Sequence, residues 1–136
     1  MRVETSEQAL AVVKEVCRQF PSIKLALIYG SASRNELRPH SDLDVAVSSG
    51  SKMPWEVRGK LLMALEDASG RSVDLVDLET LEGLLWEFLW TDAKFALWDH
   101  DLVVRYAGKA QAFVEDVKPG YMKMVGERLR RAFGAS

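Results

Sequence analysis

The sequence has little of several features that would assign it to a specialised class of protein. Its 136 residues include one cysteine, Cys17, which excludes an internal disulfide and a cysteine-based zinc site. The formal net charge is only −2, so composition gives no general argument for nucleic-acid binding. No apolar run approaches the roughly 20 residues that span a bilayer, and the charged, polar N-terminus is unlike a signal peptide. The expected location is the cytoplasm.

What the sequence does contain is typical of an ordinary globular domain. Apolar residues make up 48% and charged residues 28%, and the length is sufficient for one real core. We predict a single domain over 1–136, with an α/β core over 1–100 and a helical C-terminal segment over 101–136. Cys17 lies on the apolar stripe of a helix predicted from Ser6 to Phe20, which indicates a buried thiol rather than a nucleophile.

The stretch from Leu25 to Val47 is the most informative part of the chain. Leu25 to Tyr29 is a continuous apolar run ended by Gly30, which is typical of a strand buried on both faces. A short helix and a loop are expected after Gly30. From Asp42 the sequence alternates between polar or small and apolar residues, which predicts a strand with Asp42 and Asp44 on one face.

Two features of this stretch suit a phosphate and a metal ion. Two carboxylates on one face raise each other's pKa or recruit a cation, and Mg²⁺ prefers carboxylate oxygens. Gly30-Ser31, at a strand end and a helix start, offers backbone N–H groups and a hydroxyl to an anion. Taken separately, the two aspartates favour a solvated strand edge, and Gly-Ser favours a tight turn with a helix cap. Their combination on adjacent elements favours the functional interpretation.

Gly30-Ser31, ten intervening residues and Asp42-x-Asp44 together resemble the signature of the nucleotidyltransferase superfamily that includes DNA polymerase beta. The whole segment from Gly30 to Asp44 is similar to the corresponding segment of the minimal nucleotidyltransferases, called MNT or MntA-like proteins. Asn35 stands where that family commonly has glycine, a mild departure because asparagine tolerates left-handed backbone angles. His40 stands where an acidic residue is common, which concerns only a loop contact.

The family pattern also includes a third carboxylate on a later strand. The run from Val73 to Leu78 supplies Asp74 and Asp77, which are three residues apart and would face opposite sides of a strand. The resemblance selects Asp74. Asp77, at the end of the run, is interpreted as a turn or cap residue. A bulge in the strand would reverse this choice.

The resemblance implies a nucleotidyltransferase fold, with a small mixed β-sheet, flanking helices and a helical C-terminal segment. It implies two Mg²⁺ ions held by the catalytic residues Asp42, Asp44 and Asp74, and ATP bound at Gly30 and Ser31. MNT proteins are similar to the antitoxin half of toxin–antitoxin pairs. The implied activity is transfer of AMP from ATP to a tyrosine hydroxyl of a partner HEPN ribonuclease toxin. Neither direct nucleic-acid binding nor membrane contact is expected.

Two other functions stay open. A non-catalytic antitoxin would act by binding alone, through Trp86 and Trp90 of a helix predicted over about 80–90 unless a later helix covers them. It would also use a C-terminal basic group, which consists of Lys123, Arg128, Arg130 and Arg131. A solvated helix end is the simpler explanation of that group. The second is a small-molecule adenylyltransferase acting on an aminoglycoside-like alcohol. Antibiotic-modifying relatives add an acceptor-binding domain, so a short module favours an acceptor presented by another macromolecule.

The remaining pattern predicts the elements around this centre. A helix begins near Pro54 and ends at Gly70, between two strands, which indicates a crossover unit covering a sheet. Lys94 to Trp98 is expected to be an edge strand. Asp99 to Asp101 is interpreted as a turn with a helix cap rather than a metal site. Apolar spacing from Val103 to Val117 predicts another helix.

Overall fold

The computed structural model describes residues 2–80 and 93–117, with side chains described as far as residue 108. Helices and strands alternate through most of this part. They are α1 (Ser6–Arg18), β1 (Leu25–Tyr29), α2 (Gly30–Ser33), β2 (Leu43–Ser48), α3 (Trp55–Ser69), β3 (Val73–Asp77), β4 (Lys94–Leu97) and α4 (His100–Val117), with a 3₁₀ turn over Leu78–Thr80.

The four strands form one mixed sheet in the order β3-β2-β1-β4. β1 pairs antiparallel with both β2 and β4, whereas β2 and β3 are parallel. A parallel pair needs a crossover connection, and α3 supplies it. The structure therefore confirms the mixed sheet with flanking helices, the strand–helix–strand unit and the edge position of β4.

The two faces of the sheet contact different helices. Because side chains alternate along a strand, the residues of β1 divide between two cores, and all five are buried as predicted. Ala26 and Ile28 join the core formed with α1 and α3. Leu25, Leu27 and Tyr29 join the core formed with α4, whose buried contacts are Leu102, Val103 and Tyr106.

The first helix begins at Ser6 as predicted, and Thr5 caps it. The Thr5 hydroxyl accepts a hydrogen bond from the Gln8 N–H at 3.1 Å, while the Gln8 side chain accepts from the Glu4 N–H at 2.8 Å. α1 ends at Arg18, two residues before the predicted end, because the next residues close a tight turn. Cys17 is buried, and burial raises the pKa of its thiol to about 12, which confirms a structural role.

Other boundaries differ from the prediction by single residues. β2 begins at Leu43, so Asp42 directly precedes the strand, and β3 ends at Asp77 because Leu78 begins the 3₁₀ turn. Gly70 ends α3 in the left-handed conformation with φ 68°, as expected of a C-terminal cap. Asp99 accepts a hydrogen bond from the Leu102 N–H at 2.9 Å, which confirms the helix cap at the start of α4.

Some predictions concern residues outside the described ranges. These are the helix over about 80–90 with its two tryptophans, and the final basic helix with Lys123, Arg128, Arg130 and Arg131. Thr80 itself ends the 3₁₀ turn. Of the helices in the described ranges, none combines the length and the apolar character that crossing a membrane requires.

Candidate active site

Three strand ends meet at one edge of the sheet. β1 runs antiparallel to β2, and β2 runs parallel to β3, so the end of β1 lies beside the starts of β2 and β3. Tyr29 is the register partner of Asp44, and Asp44 is the register partner of Asp74. Partners in register point to the same face. A row of Tyr29, Asp44 and Asp74 therefore crosses three neighbouring strands, with Gly30 and Asp42 directly beside it.

Gly30 is required at the end of β1 for two reasons. Its φ of 66° lies in the left-handed region, which disfavours residues with a side chain. A Cβ atom at this position would also collide with Oδ2 of Asp44. The backbone turn after β1 therefore lies directly against the Asp44 carboxylate.

Hydrogen bonds within α2 and from the start of α1 fix this turn. The Ser33 hydroxyl donates to the Gly30 carbonyl at 2.8 Å. Ser6, at the start of α1, donates its hydroxyl to the Ala32 carbonyl, and its N–H donates to Oδ1 of Asn35 at 3.0 Å. Asn35 has φ 59°, the left-handed angle expected where the family commonly has glycine. Sequence reasoning did not find Ser6 or Ser33, because these contacts depend on how α1 packs against α2.

The turn offers backbone donors rather than a helix dipole. α2 is only four residues long, so it adds little macrodipole. The first N–H groups of any helix nevertheless lack partners within the helix, and here they follow Gly30. Ser31 is half-buried, and its carbonyl accepts from the Glu36 N–H at 2.8 Å. These groups suit the phosphate interaction predicted for Gly30 and Ser31.

The structure brings the three predicted carboxylates, Asp42, Asp44 and Asp74, to the same sheet edge, where they form a carboxylate row. Asp44 is half-buried, while Asp42 and Asp74 are exposed. Burial, followed by the negative charges of Asp74 and Asp42, raises the pKa of Asp44 above its ordinary value, and the positive charge of Arg34 partly opposes this. Asp44 is therefore within electrostatic reach of both other carboxylates.

The donor set of this row suits a hard divalent cation. Carboxylate oxygens are the protein ligands that Mg²⁺ prefers. Within 2–80 and 93–117, no three His, Cys, Asp or Glu side chains are gathered closely enough to hold a metal ion by themselves. Mg²⁺ commonly takes one or two carboxylates and completes its shell with substrate phosphates and water. The carboxylates of Asp42 and Asp44, beside a turn suited to phosphate, fit that pattern.

Asp77 does not belong to this group. It is 3% exposed, and its two carboxylate oxygens accept hydrogen bonds from the Met53 N–H at 2.9 Å and the Glu79 N–H at 3.0 Å. The β2–β3 register is continuous from Leu43 to Val47, so no bulge brings Asp77 to the face of Asp74. Asp77 is the turn residue that the sequence predicted.

Comparison with known families agrees with this geometry. The family described as "Polymerase beta, Nucleotidyltransferase" matches residues 12–96, more than half of the chain. The chain belongs to this family. The matched range contains the Gly30 turn and all three residues of the carboxylate row.

The chain is also similar to a named protein and to proteins of known structure. The protein adenylyltransferase MntA of Shewanella oneidensis is 26% identical over 117 residues, which cover 78% of this chain and 84% of that protein. A crystal structure of a toxin–antitoxin complex with AMP-PNP aligns with a TM-score of 0.69 at 21% identity, covering 88% of this chain and 98% of that chain. An MNT antitoxin in complex with tri-AMPylated S. oneidensis HEPN toxin gives a TM-score of 0.65 at 20% identity, covering 92% and 99%. These alignments show the nucleotidyltransferase fold.

Two further residues, Tyr29 and Arg34, lie close to the three carboxylates. Tyr29 is buried, and burial, followed by the charges of Asp74 and Asp44, raises the pKa of its hydroxyl. Arg34 forms an exposed ion pair with Glu36 at 3.0 Å while its charge reaches Asp44. The strict alternation of β1 and β2 is a signal that could have placed Tyr29 here. In the sequence, Arg34 could be identified only as a position within the family motif.

Proposed function

We propose that this protein is an Mg²⁺-dependent protein adenylyltransferase that neutralises a HEPN-type toxin by transferring AMP from ATP to one of its tyrosine hydroxyls. The observation that supports this most is the register pair of Asp44 and Asp74 beside the Gly30 turn. The relative MntA is a protein adenylyltransferase, and similar structures are toxin–antitoxin complexes, one with an ATP analogue and one with an AMPylated toxin. Because ATP is the substrate, we place the reaction in the cytoplasm.

The turn after β1 would bind the triphosphate. Gly30 has no Cβ, so the backbone N–H groups of the turn can approach phosphate oxygens closely. The Ser31 hydroxyl would donate a further hydrogen bond. The positive charge of Arg34, which already reaches Asp44, would offset part of the charge that the triphosphate brings.

The carboxylate row would hold the metal ions. Asp42 and Asp44 would bind one Mg²⁺ together with the triphosphate. All three carboxylates would share a second ion only when the substrates complete its shell, because they are not gathered closely enough to hold an ion by themselves. Bound Mg²⁺ supplies charge neutralisation on the phosphates and lowers the pKa of the acceptor hydroxyl. Asp74, which is exposed on β3, is accessible to an incoming acceptor.

The transfer itself would be an in-line displacement. The acceptor oxygen forms a bond to the α-phosphorus while the bond from that phosphorus to the bridging oxygen breaks, and pyrophosphate leaves. Asp74 orients the acceptor hydroxyl and receives its proton. The remaining residues contribute by positioning the nucleotide and by stabilising charge, which supply much of the rate enhancement in such reactions.

The test is transfer of label from α-³²P-ATP to a purified HEPN-type toxin in the presence of Mg²⁺. We expect Asp42→Asn, Asp44→Asn and Asp74→Asn each to lower the rate by about 100-fold or more, because each removes a charged ligand of the reacting groups. Asp67→Asn makes the same change on an exposed face of α3 and should leave the rate unchanged. Removal of Mg²⁺ with EDTA should abolish labelling.

Other outcomes would contradict the proposal in distinguishable ways. Toxin that is inhibited but never labelled would indicate an antitoxin acting by binding alone. Labelling of an aminoglycoside-like alcohol, but of no protein, would indicate a small-molecule enzyme. Labelling that survives only in Asp74→Asn would show that the third carboxylate is wrongly assigned.

A further inference from the structure

A polar cavity lies beside the candidate active site, across β2 from Gly30. Its volume is about 240 Å³, and it is lined by the loop leading into β2 and the turn leading into β3. The two connections are tied together, since the Leu43 N–H donates to the Ser72 carbonyl at 2.9 Å. Asp42 belongs both to this lining and to the carboxylate row. The cavity therefore borders the site on its β3 side, opposite the turn proposed to hold the triphosphate.

Arg71 is the notable residue of this lining. It is only 7% exposed. Its Nε donates to the Val3 carbonyl at 2.6 Å, and its Nη1 donates to the carbonyls of Arg38 and Ser41 at 2.8 and 2.9 Å. Its Nη2 makes no hydrogen bond to any residue in the described ranges, and no carboxylate there lies within ion-pair distance of it.

Within the part of the chain that the structure describes, this arrangement leaves a buried positive charge without a counter-ion. The three carbonyls satisfy N–H groups, but they carry no net charge to balance the guanidinium. Buried arginines are rare unless they are paired, because removing a charge from water is costly. An anion in the cavity would supply both the missing charge and the acceptor for Nη2.

The rest of the lining favours the same type of ligand. Arg2 lines the cavity with a second guanidinium, whose pair with Glu4 at 3.4 Å is largely exposed and therefore weak. Ser41 and Ser72 add small polar residues. Among the described residues that line the cavity, Asp42 is the one acidic group, and its charge is the one that a metal in the proposed active site would neutralise.

We propose that this cavity is a second anion site, which binds a phosphate group through Arg71 and Arg2. The volume is sufficient, since a water molecule occupies about 30 Å³ of liquid and the cavity holds several times that. Two sources share this chemistry: the phosphate of a nucleotide already attached to the acceptor, and free pyrophosphate leaving the site. The choice between these sources rests on the proposed function, whereas binding of phosphate itself does not.

The test is a titration of the full ¹⁵N-labelled chain with inorganic phosphate at constant ionic strength, followed by NMR. We expect saturable shifts at the Ser41, Arg71 and Ser72 amides and at the Arg71 Nε–H. Arg2→Gln should weaken the affinity by about 3- to 10-fold, the effect of removing one partly exposed charge near the ligand. Arg2→Lys should recover most of it. Arg18→Gln, the same charge change on exposed α1, should have no effect.

Arg2 is used because a variant of Arg71 would leave three carbonyls without their donor, so its loss of binding could not be told from a loss of folding. Shifts that do not saturate, shifts confined to Gly30–Asn35, or equal weakening in Arg2→Gln and Arg18→Gln would each overturn the site.

The two sources are separated by repeating the titration with pyrophosphate and with O-adenylyl-N-acetyltyrosine. The ligand that binds more tightly than phosphate and loses affinity in Arg2→Gln identifies the source. The result is also separable from the proposed function. Phosphate binding without AMP transfer would leave the anion site standing, and transfer without phosphate binding would overturn the anion site alone.

Discussion

Oδ2 of Asp44 occupies the space that a Cβ atom of residue 30 would need, so Gly30 and Asp44 are in direct contact across β1 and β2. The two parts of the sequence motif are separated by ten intervening residues, yet they form one surface. The turn that would hold phosphate and the strand that would hold metal therefore cannot change independently. Four consequences of the structure can be measured.

Replacing Gly30 with alanine should abolish activity. The new Cβ must displace the Asp44 carboxylate, and the backbone must keep a left-handed φ that alanine disfavours. We expect AMP transfer to fall by at least about 100-fold and the free energy of unfolding to fall by about 1–3 kcal/mol. Transfer assays and urea unfolding measure the two effects.

Gly59→Ala is the matched control for that substitution. Gly59 lies within α3, and a Cβ there would meet nothing within 4 Å. Alanine should therefore stabilise the helix by about 0.5–1 kcal/mol and leave activity unchanged. Equal loss of activity in both variants would show that the contact with Asp44 is not the reason.

Asp44→Asn and Asp77→Asn make the same chemical change but should have opposite effects on stability. Removing the charge of Asp44 relieves the burial and the repulsion that raise its pKa, so the free energy of unfolding should rise while activity is lost. An amide at position 77 cannot accept from both the Met53 and Glu79 N–H groups. The unsatisfied donor should cost about 1–3 kcal/mol. Denaturant unfolding of both variants tests this, and destabilisation by Asp44→Asn would contradict it.

Without divalent cations, the free energy of unfolding should decrease as the pH rises through the titration of Asp44. Its pKa in the folded state is raised above the ordinary value of 3.8, so the folded state binds this proton more tightly than the unfolded state does. The resulting stabilisation is complete below pH 3.8 and is lost as the pH rises through the raised pKa.

The measurement is the melting temperature of the wild type and of Asp44→Asn between pH 4 and pH 7. As the pH rises, the melting temperature of Asp44→Asn should rise relative to that of the wild type. Addition of Mg²⁺ at pH 7 should narrow this difference in melting temperature. A difference that does not vary with pH would mean that the neighbouring carboxylates do not affect Asp44 in solution.

Cys17 should be unreactive in the folded protein. Its thiol is buried and its pKa is raised to about 12, so almost no thiolate forms at pH 8. Alkylation by iodoacetamide should be about 100-fold slower in buffer than in urea, where the ordinary pKa returns. Mass spectrometry gives both rates. Rapid modification of the folded chain would show that α1 opens readily.

Local sequence patterns were sufficient for much of the fold. The apolar run of β1, the alternation in β2 and the spacing of α3 depend on periodicity, which each segment contains by itself. The asparagine at position 35 likewise tolerates the left-handed backbone angle that the structure shows there. Boundaries were less accurate, as at the end of α1, because the last turn depends on hydrogen bonds that no periodicity encodes.

The candidate site required both kinds of information. The sequence alone determined which residue types were present, and its resemblance to a family selected Asp42, Asp44 and Asp74 with the Gly30 turn. Only the tertiary structure decided that Asp44 and Asp74 are neighbours in register, since residues 30 apart meet only through the parallel crossover of α3. The surroundings of Arg71 were equally invisible in the sequence. Its partners are carbonyls of the N-terminal segment and of the loop before β2, and only the packing of these segments shows that no carboxylate of the described residues pairs with its guanidinium.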